Sequence, residues 1–134
     1  MSTWGYEPLE NDVAEEFLTE WAERFDYECV EELLDEIESI GEDYIELELA
    51  QSIIAAAYVA CAIEDGETED LFEDQEELQI WANKMPAPGA GFMNQLSKAL
   101  KRLMQGESEV RELWEESQDY AAWRATLKEM INRS

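Results

Sequence analysis

The sequence predicts an all-α fold: a compact single-domain bundle of six to seven short helices around a buried, alanine-rich central helix. Residues 53–63 are apolar on every side, whereas a surface helix would carry charge on its outer face. Elsewhere apolar residues recur at helical spacing, and no run alternates with period two. A chain of 134 residues is also long enough to bury a core without a disulfide or a metal.

The first two helices are predicted from their apolar stripes. Asp12, with Glu15 three residues on, has the form of a capping box, which starts a helix. A second helix covers about residues 28–40, and Gly41 ends it. Acids occupy the outer faces of both. The two stripes are Ala14, Phe17, Leu18, Trp21 and Phe25, and then Val30, Leu33, Leu34, Ile37 and Ile40.

The central helix is expected from about residue 43 to residue 63. Its run of 11 apolar residues is too short to cross a bilayer, and its alanines favour helix over strand. A loop to about residue 70 and a helix through Lys84, anchored by Leu78 and Trp81, are expected next. Residues 85–91 contain Pro86 and Pro88 and form a connector inside the single domain 1–134.

Three helices are predicted after the connector. One ends at Gly106, a short one follows Ser108, and the last one begins at Asp119 as a cap. Aromatic residues fall at core spacing throughout the chain, which favours a packed core over a ligand cage. These residues are Phe17, Trp21, Phe25, Trp81, Trp114 and Trp123.

The charge is concentrated in one part of the chain. The net charge is −25; residues 1–83 contain 27 acids and only one base, Arg24, while residues 84–134 contain 7 acids and 8 bases. The negative electrostatic potential of such a protein repels nucleic acids and anionic membranes and attracts cationic partners. We therefore expect a basic protein as the partner, with no direct nucleic-acid or membrane binding.

Most catalytic chemistries lack their residues in this sequence. The absence of histidine excludes Ser-His, Cys-His and His-ligated metal sites, and Cys29 and Cys61 are too few for a four-cysteine zinc site. An EF-hand loop with Gly66 at position 6 would place Cys61 and Ile63 at ligand positions. Carboxylate pairs carry no evidence, because 34 acids form close pairs by chance. We predict no catalytic residue, no metal ligand and no cofactor.

The acidic window, residues 64–77, contains nine acids in fourteen residues and no base. A solvated loop is one interpretation of this window. The other is a docking surface for a basic groove, since adjacent uncompensated carboxylates attract cations strongly. On the second interpretation the partner-binding residues are Glu64, Asp65, Glu67, Glu69, Asp70, Glu73, Asp74, Glu76 and Glu77.

Several motifs together resemble one protein family over nearly the whole chain. They are Trp4-Gly5, then Asn11-Asp12, the alanine-rich segment, the Trp81 helix, the proline connector, residues 109–114 and Tyr120-x-x-Trp123. The chain resembles the bacterial family catalogued as domain of unknown function forty-two fifty-nine. That family name implies no reaction. We interpret Trp4, Gly5, Asn11 and Asp12 as structural: a core plug, a turn and helix caps.

The start of the chain has neither a basic stretch nor an apolar stretch of the kind found in signal peptides, so we expect a cytoplasmic protein. A small, acidic, histidine-free helical protein has the profile of immunity proteins that neutralise bacterial toxins. Our leading hypothesis is a non-enzymatic inhibitor of a nuclease-type toxin. Three alternatives stay open: a DNA mimic, a small enzyme using a carboxylate pair, and an accessory protein whose acidity keeps it soluble.

Overall fold

A computed structural model describes residues 12–24, 26–41, 43–68, 71–72, 75–105 and 107–133. Within these ranges the chain forms seven α-helices, which confirms the predicted all-α bundle. The helices are α1 (Asp12–Trp21), α2 (Glu28–Ile40), α3 (Leu47–Asp65), α4 (Glu76–Lys84), α5 (Ala90–Gln105), α6 (Glu109–Glu115) and α7 (Tyr120–Arg133).

Helix α3 is the centre of the bundle and packs against each of the other six helices. Its residues are buried from Leu49 to Ile63 except for the half-buried Tyr58. Ala56 and Ala60 are fully inaccessible to water, and their small side chains let neighbouring helices approach closely. By length and composition α3 could cross a membrane, but 78% of its most apolar window is buried inside this fold. The predicted buried central helix is therefore confirmed.

Several helix ends follow the sequence signals closely, and two helix starts do not. Helix α2 has the predicted bounds, and Gly41 ends it with φ of +64°, a conformation that favours glycine. Helix α3 begins at Leu47 rather than near residue 43, and α4 begins at Glu76 rather than near residue 71. The late start of α3 has a tertiary cause, since Ile45 bonds to residues near α6. Before α4, the N–H of Phe72 is taken by the side chain of Gln79 within α4.

The segment before α3 is joined to the segment before α6. The Ile45 N–H donates to the Glu107 carbonyl over 3.1 Å, and the Ile45 carbonyl accepts from the Glu109 N–H over 2.8 Å. This is an isolated parallel bridge, and no strand forms in the ranges given above. One oxygen of the Glu109 carboxylate also accepts from the Leu47 N–H over 3.1 Å. The start of α3 is thus fixed by residues far along the chain.

Ser108 is fully buried beside this bridge. Its hydroxyl donates to the Leu103 carbonyl over 3.0 Å and accepts from the Arg111 N–H over 3.3 Å. The first bond satisfies a carbonyl near the end of α5, and the second caps α6. The predicted helix start after Ser108 is confirmed.

Aromatic rings fill the space where α1, α2, α4 and α5 meet. The Trp21 ring centroid lies 4.8 Å from that of Trp81 and 5.6 Å from that of Tyr27. Each indole N–H donates to the connection between α1 and α2: Trp21 to the Asp26 carbonyl over 2.8 Å, and Trp81 to the Arg24 carbonyl over 2.7 Å. The predicted core role is confirmed for Phe17, Trp21, Trp81, Trp114 and Trp123, while Phe25 lies outside the described residues.

Candidate functional site

The outer faces of α1 and α2 are covered by exposed carboxylates. On α1 and just after it these are Glu15, Glu16, Glu20 and Glu23, and on α2 they are Glu31, Glu32, Asp35, Glu36 and Glu38. Helices pack through their apolar stripes, so the acids between the stripes remain in water. The predicted wet faces of the first two helices are thereby confirmed as acidic surface.

The bases after the connector whose side chains are described form no ion pair with this surface. Among the described residues the two ion pairs are Arg24–Glu28, 3.4 Å, and Arg111–Glu115, 3.2 Å. The first lies within residues 1–83, the acidic part of the chain, and the second within residues 84–134, the balanced part. Neither ion pair joins the acidic part to the balanced part. Both pairs join residues four positions apart and are accessible to solvent, where such pairs contribute little.

Arg102 is a base from the balanced part that does reach the acidic part. Its Nε donates to the Gly41 carbonyl over 2.9 Å and its Nη2 to the Asp43 carbonyl over 2.5 Å. These acceptors are backbone oxygens just beyond the C-terminal end of α2, where a cation is favoured by the helix dipole. Arg102 therefore caps a helix and leaves the carboxylates of α2 without a cationic partner from α5.

The acids of the predicted window occupy different environments. Asp65 ends α3, Glu67 follows it, and Glu76 and Glu77 form the first turn of α4; all four are exposed. Glu64 is half-buried, and its Oε2 accepts from the Gly89 N–H over 2.9 Å at the start of α5. Glu64 thus has a structural bond that the sequence did not reveal. The other predicted window residues, Glu69, Asp70, Glu73 and Asp74, lie outside the described residues.

Of the four residues of the predicted family motif, the structure describes only Asp12. Asp12 lies within the first turn of α1, where its negative charge is favoured by the helix dipole, rather than at the capping position before the helix. Trp4, Gly5 and Asn11 lie outside the described residues, so their predicted structural roles stay predictions.

The side chain of Gln79 holds the loop of the acidic window through two hydrogen bonds that the sequence did not indicate. The Gln79 Oε1 accepts from the Phe72 N–H over 2.7 Å, and its Nε2 donates to the Thr68 carbonyl. The Thr68 hydroxyl in turn donates to Asn83 Oδ1 over 2.8 Å. One side chain of α4 thereby holds two points of the preceding loop. Gln79 and Asn83 are ordinary residues for the face of a helix, so no pattern in the sequence pointed to them.

A groove of about 500 Å³ joins the acidic window to α1. Its carboxylates are Glu23 beyond the end of α1 and Glu76 and Glu77 on α4, and Thr19 lies at its α1 wall. Thr19 also borders a shallower depression along α1 that contains Glu15. We call this surface the acidic strip: Asp12, Glu15, Glu16, Glu23, Glu76 and Glu77. It brings together two acidic regions that are distant in the sequence.

The described residues contain no group of three or more acids and cysteines arranged to hold a metal ion. Both cysteines are buried and unbridged. Burial is the main cause that raises the pKa of the Cys29 thiol, which disfavours the reactive thiolate.

Two tyrosines are held in the neutral form. The hydroxyl of Tyr44 donates to Glu112 Oε2 over 2.8 Å, and this bond is the main cause that raises the pKa of Tyr44 to about 12. Burial is the main cause that raises the pKa of Tyr27, and the nearby Glu64 charge raises it further. The Tyr27 hydroxyl donates to the Pro86 carbonyl, so it also joins α2 to the connector.

We expect the protein to lose stability as the pH rises from 10 to 12. The unfolded chain releases its phenol protons near pH 10, whereas the folded chain retains those of Tyr44 and Tyr27, so unfolding becomes more favourable over this interval. Urea unfolding at successive pH values measures the effect. The Tyr44→Phe variant should show a shallower decline, and an equally steep decline would contradict the assigned role of the Tyr44 bond.

Comparison with known proteins gives one match. The family model described as "Domain of unknown function (DUF4259)" matches residues 2–126. Neither a search of curated proteins nor a search of solved structures gave a match. Because the family model covers nearly the whole chain, the protein belongs to the DUF4259 family.

Proposed function

We propose that this protein is a non-enzymatic, cytoplasmic binding protein that blocks a basic protein partner, most concretely an immunity protein against a nuclease-type toxin. One observation carries the proposal. Among the side chains that the structure describes, the bases of α5 and α6 form no ion pair with the acids of α1, α2 and α4, and Arg102 bonds to backbone carbonyls instead. The acidic surface is therefore available to an external cation.

The chemistry of a nuclease groove complements this surface. Such a groove carries lysine and arginine to bind phosphates, and carboxylates at similar density can occupy the same positions. Opposite fields also steer the two proteins together and raise the association rate. Occupation of the groove excludes the nucleic acid, so inhibition requires no reaction by the inhibitor.

The contact residues of this proposal are the acidic strip and the window from Glu64 to Glu77. Helices α1 and α4 hold the carboxylates of the strip except that of Glu23, which follows α1, and Gln79 fixes two points of the loop beside α4. A surface that is already ordered loses little conformational entropy on binding. The strip is therefore the part of the molecule that we expect to contact the partner first and most closely.

A charge-matched pair of variants tests the proposal. In the strip variant, Glu15, Glu23, Glu76 and Glu77 are each changed to glutamine. In the control variant, Glu107, Glu116 and Glu129 are changed to glutamine and Asp119 to asparagine. All eight positions are exposed, and both variants lose four negative charges. Each protein is used as bait in a lysate of the native cell at low ionic strength, and the captured protein is then purified.

The proposal predicts that the captured protein is basic, cleaves nucleic acid, and loses this activity when the wild-type protein is added. The strip variant should bind it at least about tenfold more weakly, since each lost interfacial charge pair contributes of the order of 1 kcal/mol or more. The control variant should bind almost as well as wild type. Binding that is insensitive to salt, or equal weakening by both variants, would contradict a steered electrostatic inhibitor. A captured DNA-binding protein without nuclease activity would replace the immunity role with DNA mimicry.

A further inference from the structure

The groove between the end of α1 and the start of α4 has an apolar floor below an acidic rim. Its volume is about 500 Å³, and its floor is formed by Ala22, just beyond α1, and by Leu78 of α4. Both floor residues are half-buried: they pack against the core and keep part of their surface accessible. A side chain in this groove would therefore remove apolar surface from water, which favours binding.

The charge on the rim of this groove is entirely negative. Its three carboxylates belong to Glu23, beyond α1, and to Glu76 and Glu77 in the first turn of α4, and all three residues are exposed. No lysine or arginine is among the described residues that line the groove. Arg24, which follows Glu23 in the chain, forms its ion pair with Glu28 of α2 instead. A cation that fills the groove has to come from another molecule.

The arrangement of the rim discriminates between kinds of cation. Among the described residues no group of three or more acids and cysteines could hold a metal ion, so the carboxylates of Glu23, Glu76 and Glu77 do not converge on one point. A guanidinium is planar and has five N–H donors in a fixed fork, so it can bond to carboxylates that lie apart. The methylene stem of arginine also supplies apolar surface for the floor.

We propose that this groove binds one arginine side chain of the basic partner. The stem of the arginine lies along Ala22 and Leu78, and its guanidinium bonds to the carboxylates of Glu23, Glu76 and Glu77. The inference rests on the proposed function, because it takes the partner to be a basic protein, and it adds the type of residue that the partner inserts. An arginine held in a fitted groove is a frequent centre of binding energy in protein interfaces.

The probe is the capped tripeptide N-acetyl-glycyl-arginyl-glycinamide, which carries one arginine and no other charge. Three related molecules are compared with it. The citrulline peptide has nearly the same shape without the charge, the lysine peptide has a compact charge, and methylguanidinium has the head group without the stem. Binding to the full chain is followed at low ionic strength by the amide resonances of Ala22 and Leu78. Amides of α7 serve as the internal reference, because α7 does not line the groove.

The arginine peptide is expected to shift both resonances saturably at millimolar concentration. The citrulline peptide should bind at least about tenfold more weakly, because it loses the charge-assisted hydrogen bonds. The lysine peptide should bind several-fold more weakly because its ammonium is a point charge, and methylguanidinium because it leaves the floor exposed. The proposal is overturned if the citrulline or the lysine peptide binds as well as the arginine peptide, or if no saturable shift occurs.

Glu23→Gln and Glu16→Gln form a matched pair of variants for the rim. Both residues are exposed and each change removes one negative charge, but only Glu23 lines the groove. Glu23→Gln should weaken binding of the arginine peptide several-fold, whereas Glu16→Gln should stay within about twofold of wild type. Equal weakening by the two variants would show a general attraction to the negative surface and would overturn the proposal.

Leu78→Ala and Ile80→Ala form a matched pair for the floor. Both residues lie on α4, but only Leu78 lines the groove. With the Ala22 amide as reporter, Leu78→Ala should remove most of the advantage of the arginine peptide over methylguanidinium, and Ile80→Ala should preserve it. Circular dichroism checks that both variants keep their helices. An advantage that is unchanged in Leu78→Ala would contradict a role of the floor.

The two proposals can fail separately. If a basic nuclease is captured through the acidic strip but the arginine peptide does not bind in the groove, the arginine site is wrong and the inhibitor role stands. If the arginine peptide binds as described but no basic protein is captured, the inhibitor role is wrong and the groove remains a site for arginine side chains.

Discussion

Replacing Trp21 by alanine is expected to lower the free energy of unfolding by about 3–5 kcal/mol, the usual range for deleting a fully buried aromatic ring. Trp21 has no exposed surface, and its ring contacts those of Phe17, Tyr27 and Trp81. The change also leaves the Asp26 carbonyl without the indole N–H that it accepts from. Since single domains are stable by only about 5–15 kcal/mol, much of the native stability would be lost.

Urea titration followed by far-ultraviolet circular dichroism measures this loss, because fluorescence would change with the removed tryptophan itself. Trp21→Phe keeps an aromatic ring and removes the indole donor, so it should cost less, about 1–3 kcal/mol. Ile80→Ala is the surface control; Ile80 is 46% exposed on α4, and its loss should stay within about 0.5 kcal/mol. A cost for Trp21→Ala as small as that of Ile80→Ala would contradict the central place of this ring.

Enlarging Ala56 to leucine is expected to lower the free energy of unfolding by about 1–3 kcal/mol or more. Ala56 has no exposed surface in the middle of α3, where helices approach from several sides. Leucine is nearly as good a helix former as alanine, so the loss measures overpacking rather than helix propensity. The neighbouring helices would have to move apart to accommodate three further carbon atoms.

The matched control for this change is Ala125→Leu in α7, at an exposed position. It makes the same chemical change in a helix but places the added carbons in solvent, so the free energy of unfolding should change by no more than about 0.5 kcal/mol. Thermal and urea unfolding of both variants give the comparison. Similar losses at Ala56 and Ala125 would show that the small side chains of α3 are not required for close packing.

The elements that were predictable from sequence are those fixed by local signals. The bounds of α2 follow from its apolar stripe and from Gly41, whose positive φ ends the helix. The burial of α3 follows from the absence of any charge between residues 53 and 63. The start of α6 follows from Ser108, whose hydroxyl caps it. Each of these signals acts within one or two turns of helix.

The features that were not predictable depend on side-chain bonds and packing that no local pattern signals. Residues 43–46 have no local reason to leave a helix, but Ile45 bonds to the segment before α6. The N–H of Phe72 is taken by the side chain of Gln79, and α4 begins only after it. The sequence predicted that the surface is acidic but not which acids of the acidic strip lie together. Glu23 and Glu76 line one groove only because the fold places the end of α1 near α4.

The central helix α3 also determines how the protein unfolds. Because every other helix packs against α3, the release of α3 would expose an apolar face on each of them. We therefore expect one cooperative transition with no populated partly folded species, and the amide protons of α3 should exchange with solvent only when the whole molecule opens. A protease should accordingly release no stable helical fragment from this protein.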